Sequence, residues 1–183
     1  MYKADVGQAV KNLIEDVIEY QKKNDLIGMV EHLKDMTNDP TDVISAMPQF
    51  DCDEVLLYVD ENVTVYYIST TPKVLYPPHE HGMIAISALY KGTETHIFYE
   101  RDGENVKKRN EITVKAPAVV DLTIDTVHAI CTHDEEPNAG IHFYLGELEA
   151  QKRTLWDCDG KNPQQYIHEN YLAFSRPFNS TKQ

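Results

Sequence analysis

The sequence predicts a mainly β sandwich or barrel preceded by a helical flank. From residue 54 onward, about eight short runs of β-branched and aromatic residues recur at the spacing typical of a sandwich or barrel, with turn signals between them. No segment of helical crossover length lies between these runs, which argues against a parallel α/β sheet. We therefore divide the chain into a helical flank, residues 1–48, and a barrel with a carboxy-terminal wrap, residues 49–183.

Three helices are predicted in the flank. In the first, apolar residues recur at helical spacing: Val6, Val10, Leu13, Ile14, Val17 and Ile18. A second short helix begins near Leu26 and stops near Asn38-Asp39-Pro40. Thr41 is expected to cap a third helix, Asp42 to Met47.

The β-rich part contains runs that alternate with turn signals such as Lys91-Gly92 and Asp102-Gly103. After Trp156 the chain becomes polar and aromatic, which predicts an irregular or helical wrap. The predicted strands are 55–59, 63–68, 84–90, 95–100, 112–115, 119–122, 129–132 and 140–145.

Composition narrows the classes of partner. The chain has 183 residues and a net charge of −13, which argues against nucleic acid and anionic membrane surfaces as partners. Three cysteines without a CxxC pair indicate free thiols in a reducing compartment. Because the first residues lack an apolar signal-peptide core and no apolar run is long enough to span a bilayer, a cytoplasmic protein is expected. The sequence carries no signal for an oligomeric state.

Histidines supply the most informative pattern. His79 and His81, in Pro77-Pro78-His79-Glu80-His81-Gly82, are two residues apart, so on an extended segment they point the same way. A third histidine, His128, ends the distant motif Asp125-Thr126-Val127-His128. Three converging imidazoles would suit Zn, Cu, Fe or Ni. Glu80 is expected to face solvent.

These motifs resemble those of the cupin superfamily, and within it the cysteine dioxygenase-like (thiol dioxygenase) proteins. Other cupins place a glutamate ligand four or five residues after the second histidine, where this chain has Ala85 and Ile86. Thiol dioxygenases also lack that glutamate. In addition, Ile141-His142-Phe143-Tyr144 is similar to their HxY strand.

The resemblance implies a cupin double-stranded β-helix, a jelly-roll barrel, that binds Fe(II) through His79, His81 and His128. It places His142 and Tyr144 in the active site, with His142 orienting Tyr144 and Tyr144 donating a hydrogen bond to substrate or oxygen. Three neutral imidazoles leave the metal its full positive charge, which favours an anionic ligand such as a thiolate. Purified protein is expected to carry Ni or Zn in place of iron in some preparations, since such a site selects metals poorly.

Several family features are absent. No arginine lies between residues 50 and 79, where the family holds the substrate carboxylate, so cysteine itself is disfavoured as substrate. Arg101 and Arg153 remain candidates for that role. Ile86 stands where some members have a crosslinking cysteine, and Gly140 stands where the family has a serine, so any hydrogen-bond relay is expected to be shorter.

Glu94 and His96 are expected at exposed strand positions, approaching the metal only if the strand register shifts.

The leading hypothesis is thus a mononuclear Fe(II) dioxygenase that uses O2 to oxidise a small thiol to a sulfinic acid. Two alternatives remain. One is a three-histidine cupin that cleaves a carbon–carbon bond of a diketone, which needs no arginine anchor. The other is a non-catalytic cupin that binds a metal or ligand, since fold alone does not fix function.

Overall fold

The computed structural model describes residues 1–177 and shows two antiparallel sheets with three helices at the amino-terminal end. The carboxy-terminal residues 178–183 of the predicted wrap lie outside the described residues. The helices are α1 Gln8–Lys22, α2 Leu26–Asn38, α3 Thr41–Ala46 and α4 His168–Phe174, with one 3-10 turn at Leu148–Ala150. The strands are β1 Glu54–Val59, β2 Thr64–Ile68, β3 Val74–Leu75, β4 His79–Glu80, β5 Ala85–Lys91, β6 Thr93–Asp102, β7 Asn105–Lys115, β8 Ala118–Leu122, β9 Val127–Cys131, β10 Ala139–Tyr144, β11 Thr154–Leu155, β12 Gln164–Gln165 and β13 Arg176–Pro177.

The two sheets form a double-stranded β-helix, which confirms the predicted fold class. The first sheet has the strand order β1-β2-β10-β5-β8. In the second, β9 pairs with β6 along one edge and with the short strands β3 and β4 along the other, while β7 pairs with β6 at the outside. Buried side chains from both sheets meet in the space between them.

The flanking helices cover the outer face of the first sheet. The apolar stripe of α1 and the buried face of α2 join one core with alternate residues of β5 and β10, among them Ile86, Ile141 and Phe143. Because one face of these strands packs on helices, the alternating residues Ser87 and His142 point into the barrel. Helix packing thus decides which side chains reach the interior.

Two local expectations were wrong. Thr41 is the first residue of α3 and the N-cap residue is Pro40, while the backbone and hydroxyl of Thr41 donate hydrogen bonds to the Asp39 carboxylate at 3.4 Å and 2.8 Å. Strand β7 begins at Asn105, well before the predicted start at Ile112. Its first half is mostly charged and exposed, as suits an edge strand.

None of the helices in residues 1–177 has both the length and the apolar character needed to cross a membrane.

The helix-to-sheet core predicts a large loss of stability for Phe143→Ala. Phe143 is fully buried, and removing a buried phenylalanine side chain costs about 3–5 kcal/mol. Chemical denaturation would measure the loss. Ile27→Ala, at a residue 76% exposed, is the control and should change stability by less than about 0.5 kcal/mol. Equal losses in the two variants would contradict this account of the core.

Candidate functional site

Three imidazoles gather at one end of the barrel interior. Strand β4 pairs with β9 so that His79 lies directly opposite His128, and His81 follows two residues after His79. The ring centroids are 4.8 Å apart for His79 and His128, 5.0 Å for His79 and His81, and 5.1 Å for His81 and His128. One nitrogen from each ring lies within 4.8 Å of the others, and this group could hold a metal ion.

The nitrogens of this group are suited to metal binding. His79 Nδ1 lies 3.0 Å from the carbonyl oxygen of Pro77, so Nδ1 donates and Nε2 keeps its lone pair. Nδ1 of His81 and Nε2 of His128 are buried and have no hydrogen-bond partner within residues 1–177. Unpaired buried nitrogens are costly, and a bound metal would satisfy them.

Burial keeps these histidines neutral. Loss of solvent lowers the pKa of His79 to about 4 and lowers the pKa values of His81 and His128 well below the usual range. Neighbouring imidazoles and Arg153 add to the effect at His79 and His81. All three rings can therefore act as neutral nitrogen ligands at neutral pH.

A cavity of about 390 Å³ reaches this group from the surface, and His79 and His128 contribute to its wall. Tyr166 and Tyr171 pack edge-on against His79, each at a centroid distance of 5.5 Å. Tyr76 stacks on Tyr171 at 5.3 Å. The carboxy-terminal wrap thereby contributes an aromatic wall on the His79 side of the cavity. Nothing in the sequence signalled this role.

Acidic residues surround the opening. Asp51, Asp53 and Glu54 line it, and the thiol-bearing Cys52 is exposed beside them. Burial raises the pKa of Glu54, with His168 opposing the change at a distance of 4.0 Å. No lysine or arginine lies among the cavity-lining residues of the described chain. The opening therefore disfavours anions.

His142 and Tyr144 also line the cavity. The Tyr144 ring lies 5.0 Å from the His81 ring and 6.5 Å from the His142 ring. Burial, reinforced by Glu54, raises the pKa of Tyr144 well above its usual value, so its hydroxyl keeps its proton. Burial also lowers the pKa of His142, although Glu94 opposes this.

A hydroxyl from a neighbouring strand reaches His142. Although position 140 is glycine, strand β5 places Ser87 directly opposite His142, and the Ser87 Oγ lies 3.0 Å from His142 Nε2. A neighbouring strand thus supplies the hydroxyl that the sequence motif lacks. The cross-strand register that brings Ser87 there is not visible in a local motif.

The charged side chains near the histidines, Glu80, Arg101 and Arg153, form ion pairs outside the cavity. Glu80 does not face solvent, because its carboxylate pairs with Arg101 and accepts a hydrogen bond from the backbone of Thr154 at 3.0 Å. Arg153 is buried, stacks over Tyr166 at 4.1 Å and pairs with Glu149 at 3.3 Å. Neither arginine lines the cavity.

The predicted exposure of Glu94 and His96 was also wrong. They are 1% and 0% exposed, and His96 contacts His128 behind the cavity. Glu94 and His96 are two residues apart on one strand, as His79 and His81 are. This spacing was the sequence signal that the two side chains lie on the same face of the strand.

Comparisons with known proteins give structural neighbours only. No protein-family model matches the chain, and no curated protein matches it. Similar solved structures include a DMSP lyase from Ruegeria pomeroyi, with 18% identity over 52% of this chain and 44% of the lyase chain, at a TM-score of 0.42. They also include an RmlC-like cupin with a double-stranded β-helix fold from Methanocaldococcus jannaschii, with 13% identity over 56% of this chain and 90% of that chain, at a TM-score of 0.45.

Oxalate decarboxylase from Bacillus subtilis, which has Mn(II) centres, is a third such neighbour. The identity is 12%, the match covers 60% of this chain and 30% of the decarboxylase chain, and the TM-score is 0.45. The chain thus spans less than half the length of either enzyme.

Proposed function

We propose that this protein is a mononuclear metalloenzyme that oxidises a small thiol to a sulfinic acid with dioxygen. His79, His81 and His128 would hold Fe(II). The observation that carries the proposal is a group of three buried, neutral imidazoles in a barrel whose cavity reaches them from the surface. Catalytic metal sites need such access, whereas structural sites are closed by their ligands.

The ligand set favours a thiol. Three neutral imidazoles leave a divalent metal with a charge of +2, whereas a carboxylate ligand would reduce it. A more positive centre attracts an anionic sulfur and promotes loss of the thiol proton. Fe(II), when bound, supplies the electronic chemistry that lets dioxygen react with a thiol. Both oxygen atoms enter the product, RSH + O2 giving RSO2H, so no further reductant is required.

Protein groups around the cavity would position the reactants. The Tyr144 hydroxyl, which keeps its proton, can donate a hydrogen bond to a substrate in the cavity. The Ser87 contact to His142 Nε2 fixes the ring and leaves Nδ1 available on the cavity side. Tyr166 and Tyr171 exclude water from the His79 side.

Charge at the opening selects among small thiols. Asp51, Asp53 and Glu54 attract a positive group, and no lysine or arginine of the described lining offers a clamp for a carboxylate. The best fit is a thiol that carries an ammonium group and no carboxylate. Cysteamine meets that description, cysteine meets it in part, and 3-mercaptopropionate does not.

One observation also suits a second reaction. A 1,3-diketone bound as its enolate would chelate a metal through two oxygens and would need no arginine anchor, which agrees with the absence of lysine and arginine from the described lining. The acidic opening is less favourable for such an anion. A non-catalytic metal site fits the open cavity less well, because structural sites are closed.

Metal titration tests the ligand set. Wild-type protein should bind one Co(II) or Zn(II) per chain. His79→Ala, His81→Ala and His128→Ala should each weaken binding by more than about 100-fold, since even losses in the outer shell of a site cost 10–100-fold. His32→Ala is the matched control because His32 lies on α2, paired with Asp16. Tight binding that survives any of the three ligand substitutions would contradict the assignment.

The depressed histidine pKa values predict a pH dependence of metal binding. Protons compete with the metal only when pH falls toward the folded pKa, which is about 4 for His79. Affinity should therefore be nearly constant from pH 8 to 6 and should fall below about pH 5. A steep loss around pH 6.5, the value for an exposed histidine, would show that the rings are not buried as described.

Oxygen uptake tests the reaction and its substrate. After anaerobic loading with Fe(II), uptake should be fastest with cysteamine, slower with cysteine and slowest with 3-mercaptopropionate. Glu54→Gln should raise KM for cysteamine by about threefold to tenfold, as expected for loss of one partly screened charge. Glu61→Gln, which removes an exposed carboxylate in the β1–β2 turn away from the cavity lining, is the control. No uptake with any of the three thiols would refute the proposed reaction.

Tyr144→Phe tests the role of the hydroxyl. Loss of one hydrogen bond to a charged group should lower kcat by about 10–100-fold, while Co(II) affinity stays unchanged. Tyr67→Phe, at a tyrosine outside the cavity lining that packs on Phe50, is the control. An unchanged kcat in Tyr144→Phe would remove Tyr144 from the reaction.

A further inference from the structure

A line of buried polar groups runs from His128 away from the cavity. His96 Nδ1 lies 3.2 Å from His128 Nδ1, and His96 Nε2 lies 2.9 Å from an oxygen of Glu94. His96 is 0% exposed, Glu94 1% and His128 3%. Burying a carboxylate this deeply is costly unless its partners compensate, so the arrangement calls for an explanation.

The contacts fix which nitrogens carry protons. His128 Nε2 is buried and unpartnered within the described chain, which leaves it for a metal. A neutral imidazole has one N–H, so His128 Nδ1 must be the donor to His96 Nδ1. His96 then carries its own proton on Nε2, which lies 2.9 Å from the Glu94 carboxylate, although the N–H is not aligned on that oxygen. Each assignment follows from the one before it.

Glu94 is held in its ionised form. Burial alone would raise its pKa, but the close contact with His96 outweighs burial and lowers it, with further contributions from His142 and Ser87. The Ser87 hydroxyl and the Asn138 amide each donate to the carboxylate at 3.3 Å. A carboxylate that accepts several hydrogen bonds favours its charged state.

The same carboxylate has a second branch. Since the Ser87 hydroxyl donates its proton to Glu94, the 3.0 Å contact between Ser87 Oγ and His142 requires His142 Nε2 to be the donor. Ser87 and His142 belong to the first sheet, whereas Glu94, His96 and His128 belong to the second. Glu94 therefore links both sheets inside the barrel.

We propose that Glu94 is a positioning residue that fixes the ring and tautomer of His128 through His96 and those of His142 through Ser87. Through the first branch, its negative charge strengthens His128 Nε2 as a donor to the metal, as carboxylates do when they hydrogen-bond directly to metal-bound histidines. Through the second branch, it leaves His142 Nδ1 as an acceptor on the cavity side. The proposal rests on the metal site of the proposed function and does not depend on the thiol reaction.

Co(II) binding to two variants separates charge from packing. Glu94→Gln keeps the shape and an acceptor oxygen but removes the charge, and it should weaken Co(II) binding by about 10–100-fold and shift the visible absorption of the bound ion. Ser87→Ala breaks the His142 branch and removes one weak donor to Glu94, but it leaves the contacts of His96 in place and should leave Co(II) affinity within about twofold of wild type. Wild-type affinity in Glu94→Gln, or an equal loss in both variants, would overturn the proposal.

A measurement on wild-type protein covers the case in which Glu94→Gln fails to fold. Nitrogen-15 NMR of the histidine rings in the Zn(II)-loaded chain reports which nitrogen of each ring carries the proton. The proposal requires the proton on Nδ1 of His128 and on Nε2 of His96 and His142. A proton on Nδ1 of His96, or a chain that binds no Zn(II), would overturn it. Neither experiment measures turnover, so a chain that oxidises no thiol would refute the proposed reaction and leave this inference standing.

Discussion

The pairing of β9 with β4 and β6 is the constraint on which the site depends. Along one edge, β4 places His79 opposite His128, and along the other, β6 places His96 beside His128. A slip of one residue in either register would move alternate side chains to the other face of the sheet. The same strand thus sets both the convergence of the imidazoles and the polar contacts behind them.

The polar interior of the barrel is stabilised from outside. Glu94 and His96 give up solvent, a cost that their buried polar partners must offset. The outer face of the first sheet, in contrast, buries Phe143 and Ile141 against α1 and α2 in a fully apolar core. Apolar burial is the dominant favourable contribution to folding. Because the helical flank supplies this apolar core, inward positions of the same strands can hold polar side chains that contribute to the site.

Local patterns predicted the main strands, the helices and the inward direction of His79 and His81, because each depends on residue spacing within one segment. These patterns failed where the position of a side chain depends on residues that are distant in the sequence. Glu94 and His96 look exposed in isolation and are buried because Ser87, Asn138 and His128 surround them. The tyrosines of the carboxy-terminal wrap reach His79 through tertiary packing. Two-residue strands such as β3 and β4 are too short to leave a periodic signal.

The central claim is that His79, His81 and His128 bind one metal with a coordination position left for substrate. X-ray absorption of Zn(II)-loaded protein measures this directly. The account predicts three imidazole nitrogens at about 2.0–2.1 Å together with an oxygen ligand from solvent. A sulfur ligand at about 2.3 Å, or fewer than three imidazoles at a tightly bound metal, would contradict it.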